Sequence, residues 1–134
     1  MITVLLEVPY YHCSKAIQFL IDSGATYSAI TEKESELIGL DCTELPEAKF
    51  GAVGFGGTFR NKMINRPVFL TFHATNDQTY KIPYAKGFQI VCIPANVEEE
   101  EREKLIRYTP CVLGMDILCK FKLYIDKKKV ELSL

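Results

Sequence analysis

Apolar residues come in short runs that are rich in β-branched and aromatic types, the pattern of strands. "ITVLLEV" (2–8) and "AIQFLID" (16–22) read as two strands joined by a polar turn near residues 12–15. "RPVFLTFHA" (66–74) sets Val68, Leu70 and Phe72 against Phe69, Thr71 and His73, the alternation of a half-buried strand. "QTYKIPY" (78–84), "GFQIVCI" (87–93) and "CVLG" (111–114) follow as further strands. "KLYIDKKKVELSL" (122–134) reads as a closing hairpin that turns at residues 126–128.

Two helices interrupt the strands. Thr31 and Glu34 fit a capping box, and Gly39 supplies a left-handed stop, which predicts a helix over 32–38. A second helix is predicted from Asn96 through "VEEEEREKLIR". Glu98–Arg102, Glu100–Lys104 and Glu103–Arg107 are spaced to pair along it, and acids precede bases as the helix dipole favours. This charged run reads as a solvated face. Many short strands with few short helices predict an all-β barrel or sandwich. No repeat, linker or low-complexity stretch divides the sequence, so one domain is expected over residues 1–134.

Composition narrows the function classes. The 134 residues are 48% hydrophobic and 25% charged, ordinary for a globular domain with a real core. A formal net charge of -1 gives no electrostatic reason to expect nucleic acid or an anionic membrane as partner. No apolar run reaches the roughly 18 residues that span a bilayer. The start, "MITVLLEVPY", lacks a basic leader and carries Glu7, so it reads as a strand and not as a signal peptide. Five cysteines with no C-x-x-C pair, and only two histidines, argue against a metal site. Reduced thiols in a cytoplasmic protein are the expectation.

The chemistry concentrates in "FLIDSGATYSAI" (19–30), where an apolar strand runs directly into Asp22 and then a glycine. Burying a carboxylate without partners is costly. Gly24 permits a sharp turn that aims backbone N–H groups at the acid, and so presents it rigidly at a cleft floor. Two apolar residues, Asp, Ser or Thr, Gly and Ala, then a polar cluster, is the pattern that this segment shares with the aspartic proteases. "CVLGMDIL" (111–118) resembles that family's second motif, an apolar pair and glycine leading into a short helix. "GAVGFGGTF" (51–59) stands where the family places its flap hairpin. The order and separation resemble the single-domain, retroviral-type branch.

That resemblance implies a retropepsin-like barrel with a flap hairpin and two or three short helices. It implies Asp22 as the catalytic acid, with Ser23, Gly24, Ala25, Leu113 and Gly114 supporting it. Ser23 would brace the two active-site loops, and Gly54, Phe55, Gly56 and Gly57 would form the flap over substrate. Ala25 stands where some members carry a serine that donates to the acid, which implies activity at higher pH than in acid-adapted relatives. The mechanism needs two carboxylates sharing a proton around a water. Asp41, Asp77, Asp116 and Asp126 are not followed by Ser or Thr and Gly. The second Asp22 is therefore expected from a second copy, in a homodimer acting on a peptide or protein substrate without metal or cofactor.

Other readings are weaker. "GAVGFG" matches a phosphate-loop spacing, but Gly57 stands where the lysine should be. Asp116 reads as the N-cap of a short helix. His12 and His73 read as a surface turn residue and a strand side chain, and Ser23 lacks the setting of a serine nucleophile. The rival function is a non-catalytic peptide-binding or assembly module on the same fold.

Overall fold

The computed structural model describes residues 1–48, 60–74, 77–85, 87–93, 97–125 and 130–133. Strands β1 (Ile2–Val8) and β2 (Cys13–Ile21) form an antiparallel hairpin, in register from Ile2 opposite Phe19 to Val8 opposite Cys13. Val4, Leu6 and Val8 turn inward from one strand, and Cys13, Ile17 and Phe19 from the other. The turn is tighter than the sequence predicts, and β2 begins at Cys13. Pro9–Tyr11 makes one 3-10 turn, and His12 closes it at φ 55°, its N–H donating to the Pro9 carbonyl at 3.0 Å. Histidine is one of the few residues that enter this left-handed region readily. β2 also ends at Ile21, which leaves Asp22 just beyond the strand.

β3 (Ala29–Thr31) leads into helix α1 (Glu32–Leu37). The Thr31 hydroxyl accepts the Glu34 N–H at 3.2 Å, the cap that the sequence predicts, and Gly39 follows at φ 92°. Next come β4 (Arg60–Ile64), β5 (Val68–His73), β6 (Thr79–Tyr84) and β7 (Phe88–Cys92). Helix α2 (Glu99–Tyr108) begins later than predicted, with Glu98 at the N-cap making no side-chain bond. Glu99, Glu100 and Glu101 fill its first turn, and none of its residues is buried. β8 (Cys111–Leu113) runs into α3 (Met115–Leu118), and β9 (Lys122–Ile125) pairs with β10 (Val130–Ser133) as an antiparallel hairpin.

The sequence pattern misses β3 and β4. β3 has three residues and lies inside the Asp22 motif. β4 reads as polar because one of its buried residues is Asn61, whose amide donates to the buried Gln89 side chain at 2.8 Å.

Eight strands form one sheet in the order β4-β7-β3-β8-β2-β1-β5-β6. β2 runs parallel to β8 and β3 parallel to β7, so the middle of the sheet is the least hairpin-like part. Every residue of β7 and β8 is buried, as expected where both faces are covered. β6 lies at one edge, yet residues 85–87 link it to β7, beside the other edge. In a flat sheet that gap would be about 29 Å at about 4.8 Å per strand. A link of this length spans no more than about 14 Å. The sheet is therefore curled into a half-barrel, which makes the fold all-β. Gly87 turns the corner at φ 90°, its N–H on the Ile64 carbonyl at 2.9 Å. Phe19, Phe88, Leu6, Ile30, Leu113 and Ile117 fill the interior. Among the described residues, no helix is long and apolar enough to cross a membrane.

Candidate active site

Asp22 follows the last residue of β2 and is held from three directions. Its N–H donates to the Leu113 carbonyl at 3.1 Å, extending the parallel β2–β8 ladder by one bond. Its own carbonyl accepts the Ala25 N–H at 3.1 Å, which closes a tight turn. Within that turn the Gly24 N–H donates to Asp22 Oδ1 at 2.9 Å. A backbone donor fixed in this way limits the carboxylate to one rotamer without burying it. Asp22 is partly exposed, Ser23 and Gly24 are exposed, and Ala25 is buried. A Cβ on Gly24 would stand 3.2 Å from Asp22 Oδ1, so the glycine also keeps that approach open.

The 113–116 segment straps this turn down. The Met115 N–H donates to the Ala25 carbonyl at 2.8 Å, and the Asp116 N–H to the Thr26 carbonyl at 3.2 Å. Gly114 N–H donates to the Ser28 hydroxyl oxygen at 2.9 Å. Leu113 has no exposed surface and pairs with Ile21. Gly114 has no room for a side chain: a Cβ would meet the Ala25 carbonyl oxygen at 2.7 Å and Tyr27 backbone atoms at 2.8 and 2.9 Å. The structure thus brings Asp22, Ser23, Gly24 and Ala25 against Leu113 and Gly114. Gly54, Phe55, Gly56 and Gly57 lie outside the described residues.

Asp116 is not the N-cap that the sequence suggests. Gly114 occupies that position, with no side-chain cap, because Asp116 already belongs to the first turn of α3. Its carboxylate instead points back at the Asp22 loop. Both oxygens accept the Ser28 N–H at 3.0 Å, and Oδ1 also accepts the Ser28 hydroxyl at 2.6 Å. Oδ2 accepts the Tyr84 hydroxyl at 2.8 Å. Burial first, then the Asp116 carboxylate that it serves, pushes the Tyr84 hydroxyl pKa well up, so it remains a donor. Ser28 lies within the quoted motif, but nothing in the sequence marks it off from its polar neighbours. Tyr84 carries no sequence signal, since its role depends on the sheet curling.

His12 is exposed in the first hairpin turn, and His73 is exposed at the end of β5. Among the described residues, no group of three or more His, Cys, Asp or Glu side chains could hold a metal ion. The five thiols are free, four buried and Cys119 exposed. A cavity of about 200 Å³ lies between α1, α2 and β7, floored by Val91, Ile93, Leu105 and Ile106. None of residues 22–28 or 113–116 lines it.

A half-barrel whose Asp-Ser-Gly turn is strapped to an apolar-apolar-Gly segment has the architecture of the retropepsin-like aspartic proteases. No protein-family model matches the sequence, and no curated protein matches it. Solved structures do match. A retropepsin-like aspartic protease from Rickettsia conorii is 20% identical, with a TM-score of 0.52 over 97% of this chain and 80% of that one. The retroviral protease-like domain of Ddi1 from Leishmania major is also 20% identical, with a TM-score of 0.50 over 98% of this chain and 87% of that one. At that identity the likeness establishes the fold, and the fold of this chain is retropepsin-like.

Proposed function

We propose that the chain is an aspartic endopeptidase, one domain over residues 1–134, active as a homodimer in the cytoplasm. Asp22 from each copy would share one proton around a water. The charged acid takes a proton from the water as it attacks, and the protonated acid polarises the scissile carbonyl. Two like charges a few ångströms apart resist joint ionisation, which keeps the mixed state available. No metal or cofactor enters this scheme.

One observation carries the reading. Within a retropepsin-like fold, Asp22 is fixed by the Gly24 N–H on one oxygen, while among the described residues its other oxygen accepts no hydrogen bond. A rigid acid with an open oxygen suits a shared proton or a water. Exposed Ser23 is available to brace the partner's turn. The β9–β10 hairpin, outside the main sheet, is a candidate for pairing with the partner.

The test is cleavage of denatured casein from mildly acidic to neutral pH, with Asp22→Asn as control and solution mass measured alongside. Cleavage by the wild type, lost in Asp22→Asn, with the mass of a dimer supports the proposal. Equal inactivity of both proteins, or activity surviving the substitution, refutes it. The first of these outcomes favours the non-catalytic peptide-binding or assembly module.

A further inference from the structure

We infer that Tyr84 is a positioning residue for the Asp22 turn, acting through Asp116. The inference rests on the peptidase reading for its kinetic consequence, but its structural part stands without it. Tyr84 is the last residue of β6, at the edge of the sheet, and Asp116 follows β8 in the middle. Three strands, β2, β1 and β5, separate them in sheet order. The 2.8 Å bond between them therefore crosses the inside of the curl and ties the edge strand to the strap. The Tyr84 ring is held edge-on by Phe88 at 5.3 Å, which sets the direction of its hydroxyl.

The bonds form a continuous path. Tyr84 donates to Asp116, Asp116 holds the N–H and hydroxyl of Ser28, and the Ser28 oxygen receives the Gly114 N–H. Gly114 lies within contact distance of Ala25 and Tyr27, in the loop that carries Asp22. Without the Tyr84 hydroxyl, Asp116 Oδ2 keeps only a share of one bifurcated N–H. A carboxylate half satisfied in a partly buried site turns toward water. Ser28 would turn with it, and the loop that aims Asp22 would lose one of the bonds that strap it down. Tyr84 does not touch Asp22, so the effect should fall on turnover and not on substrate affinity.

Tyr84→Phe keeps the ring and its contact with Phe88 while deleting the hydroxyl. The expected result is a kcat lowered about tenfold with KM within about twofold, as for slight misplacement of a reacting group. In an Asp116→Asn background the same change should add less than about twofold, because Tyr84 acts only through Asp116. Amide hydrogen exchange gives a readout free of activity. Segments 22–28 and 113–116 should exchange faster in Tyr84→Phe, and the β1–β2 hairpin should not.

Unchanged exchange at both segments overturns the inference, as does exchange raised uniformly over the sheet, which would indicate general destabilisation. Additive kcat losses in the double variant also overturn it. If the wild-type protein cleaves nothing, the peptidase reading fails and the exchange comparison alone decides the role of Tyr84.

Discussion

Gly114→Ala adds one methyl group at the point where two backbone segments come closest. Its Cβ would stand 2.7 Å from the Ala25 oxygen, 2.8 Å from the Tyr27 carbonyl carbon and 2.9 Å from the Tyr27 oxygen. All three are backbone atoms, so no side chain can swing aside. Both segments are also pinned, by Asp22 N–H on Leu113 and by Met115 N–H on Ala25. Overpacking of this kind costs about 1–3 kcal/mol. Breaking one pinned hydrogen bond to relieve it adds about 1 kcal/mol. A loss of about 3 kcal/mol is expected, a large share of a total that for such domains is about 5–15 kcal/mol.

Urea denaturation at fixed protein concentration reads this directly. With a slope near about 1.5 kcal/mol/M, the midpoint should fall by about 2 M. Gly24→Ala is the matched control. There the nearest atom is a carboxylate oxygen at 3.2 Å, at the end of a side chain that can yield. Its midpoint should move by less than about 0.7 M, which corresponds to roughly 1 kcal/mol. A Gly114→Ala midpoint no lower than that of Gly24→Ala would refute the close approach of the two loops.

Two further outcomes follow from the fold. Thr31→Ala removes the hydroxyl that caps α1 at 3.2 Å from the Glu34 N–H, and should lower stability by about 1 kcal/mol in the same denaturation assay. Burial, aided by neighbouring Cys42, pushes the Cys92 thiol from 9.0 up to about 12. The folded value lies above the unfolded one, so the thiol's contribution is full below pH 9 and is lost as pH rises toward 12. Urea midpoints should therefore fall with pH above 9 more steeply in the wild type than in Cys92→Ala; parallel slopes would contradict the burial.

The parts of the fold legible in the sequence are those set by local chemistry. Alternation in residues 68–73 gives β5, and the Thr31–Glu34 spacing gives the start of α1. The Asp22 turn is legible because Gly24 and Ala25 are required next to the acid in the chain. What escapes is set by contacts distant in sequence. Asn61 looks like a surface residue until Gln89, on another strand, satisfies it. Asp116 looks like a helix cap until the curled sheet brings Ser28 and Tyr84 to it. β3 escapes because its residues owe their extended form to β7 and β8 on either side. The parallel pairings at the centre of the sheet leave no turn signal in the sequence.

The acids of the chain differ in how much of their capacity is already taken, and this bears on whether one copy can suffice. Asp116 gives both oxygens to Ser28 and Tyr84. Asp41 caps the 3-10 turn at Cys42–Glu44, where the Thr43 hydroxyl and N–H hold its carboxyl below the usual range. Asp77 is exposed in a turn at φ 63°, and Asp126 lies outside the described residues. Asp41 also leaves its Oδ2 open among the described residues, but it is exposed and sits at that separate 3-10 turn. Among the described aspartates, Asp22 is the one carried on the Ser-Gly turn that Leu113 and Met115 strap down, so the proposed two-acid mechanism would take its second acid from another Asp22. Mixing settles the point. If wild type and Asp22→Asn exchange subunits at equal amounts, only about one dimer in four carries two acids, by random pairing across a two-fold interface. Activity per wild-type chain should then fall to about half that of the wild type alone. A second acid from within the same chain would leave that activity unchanged on mixing, and the symmetric site would have to be abandoned.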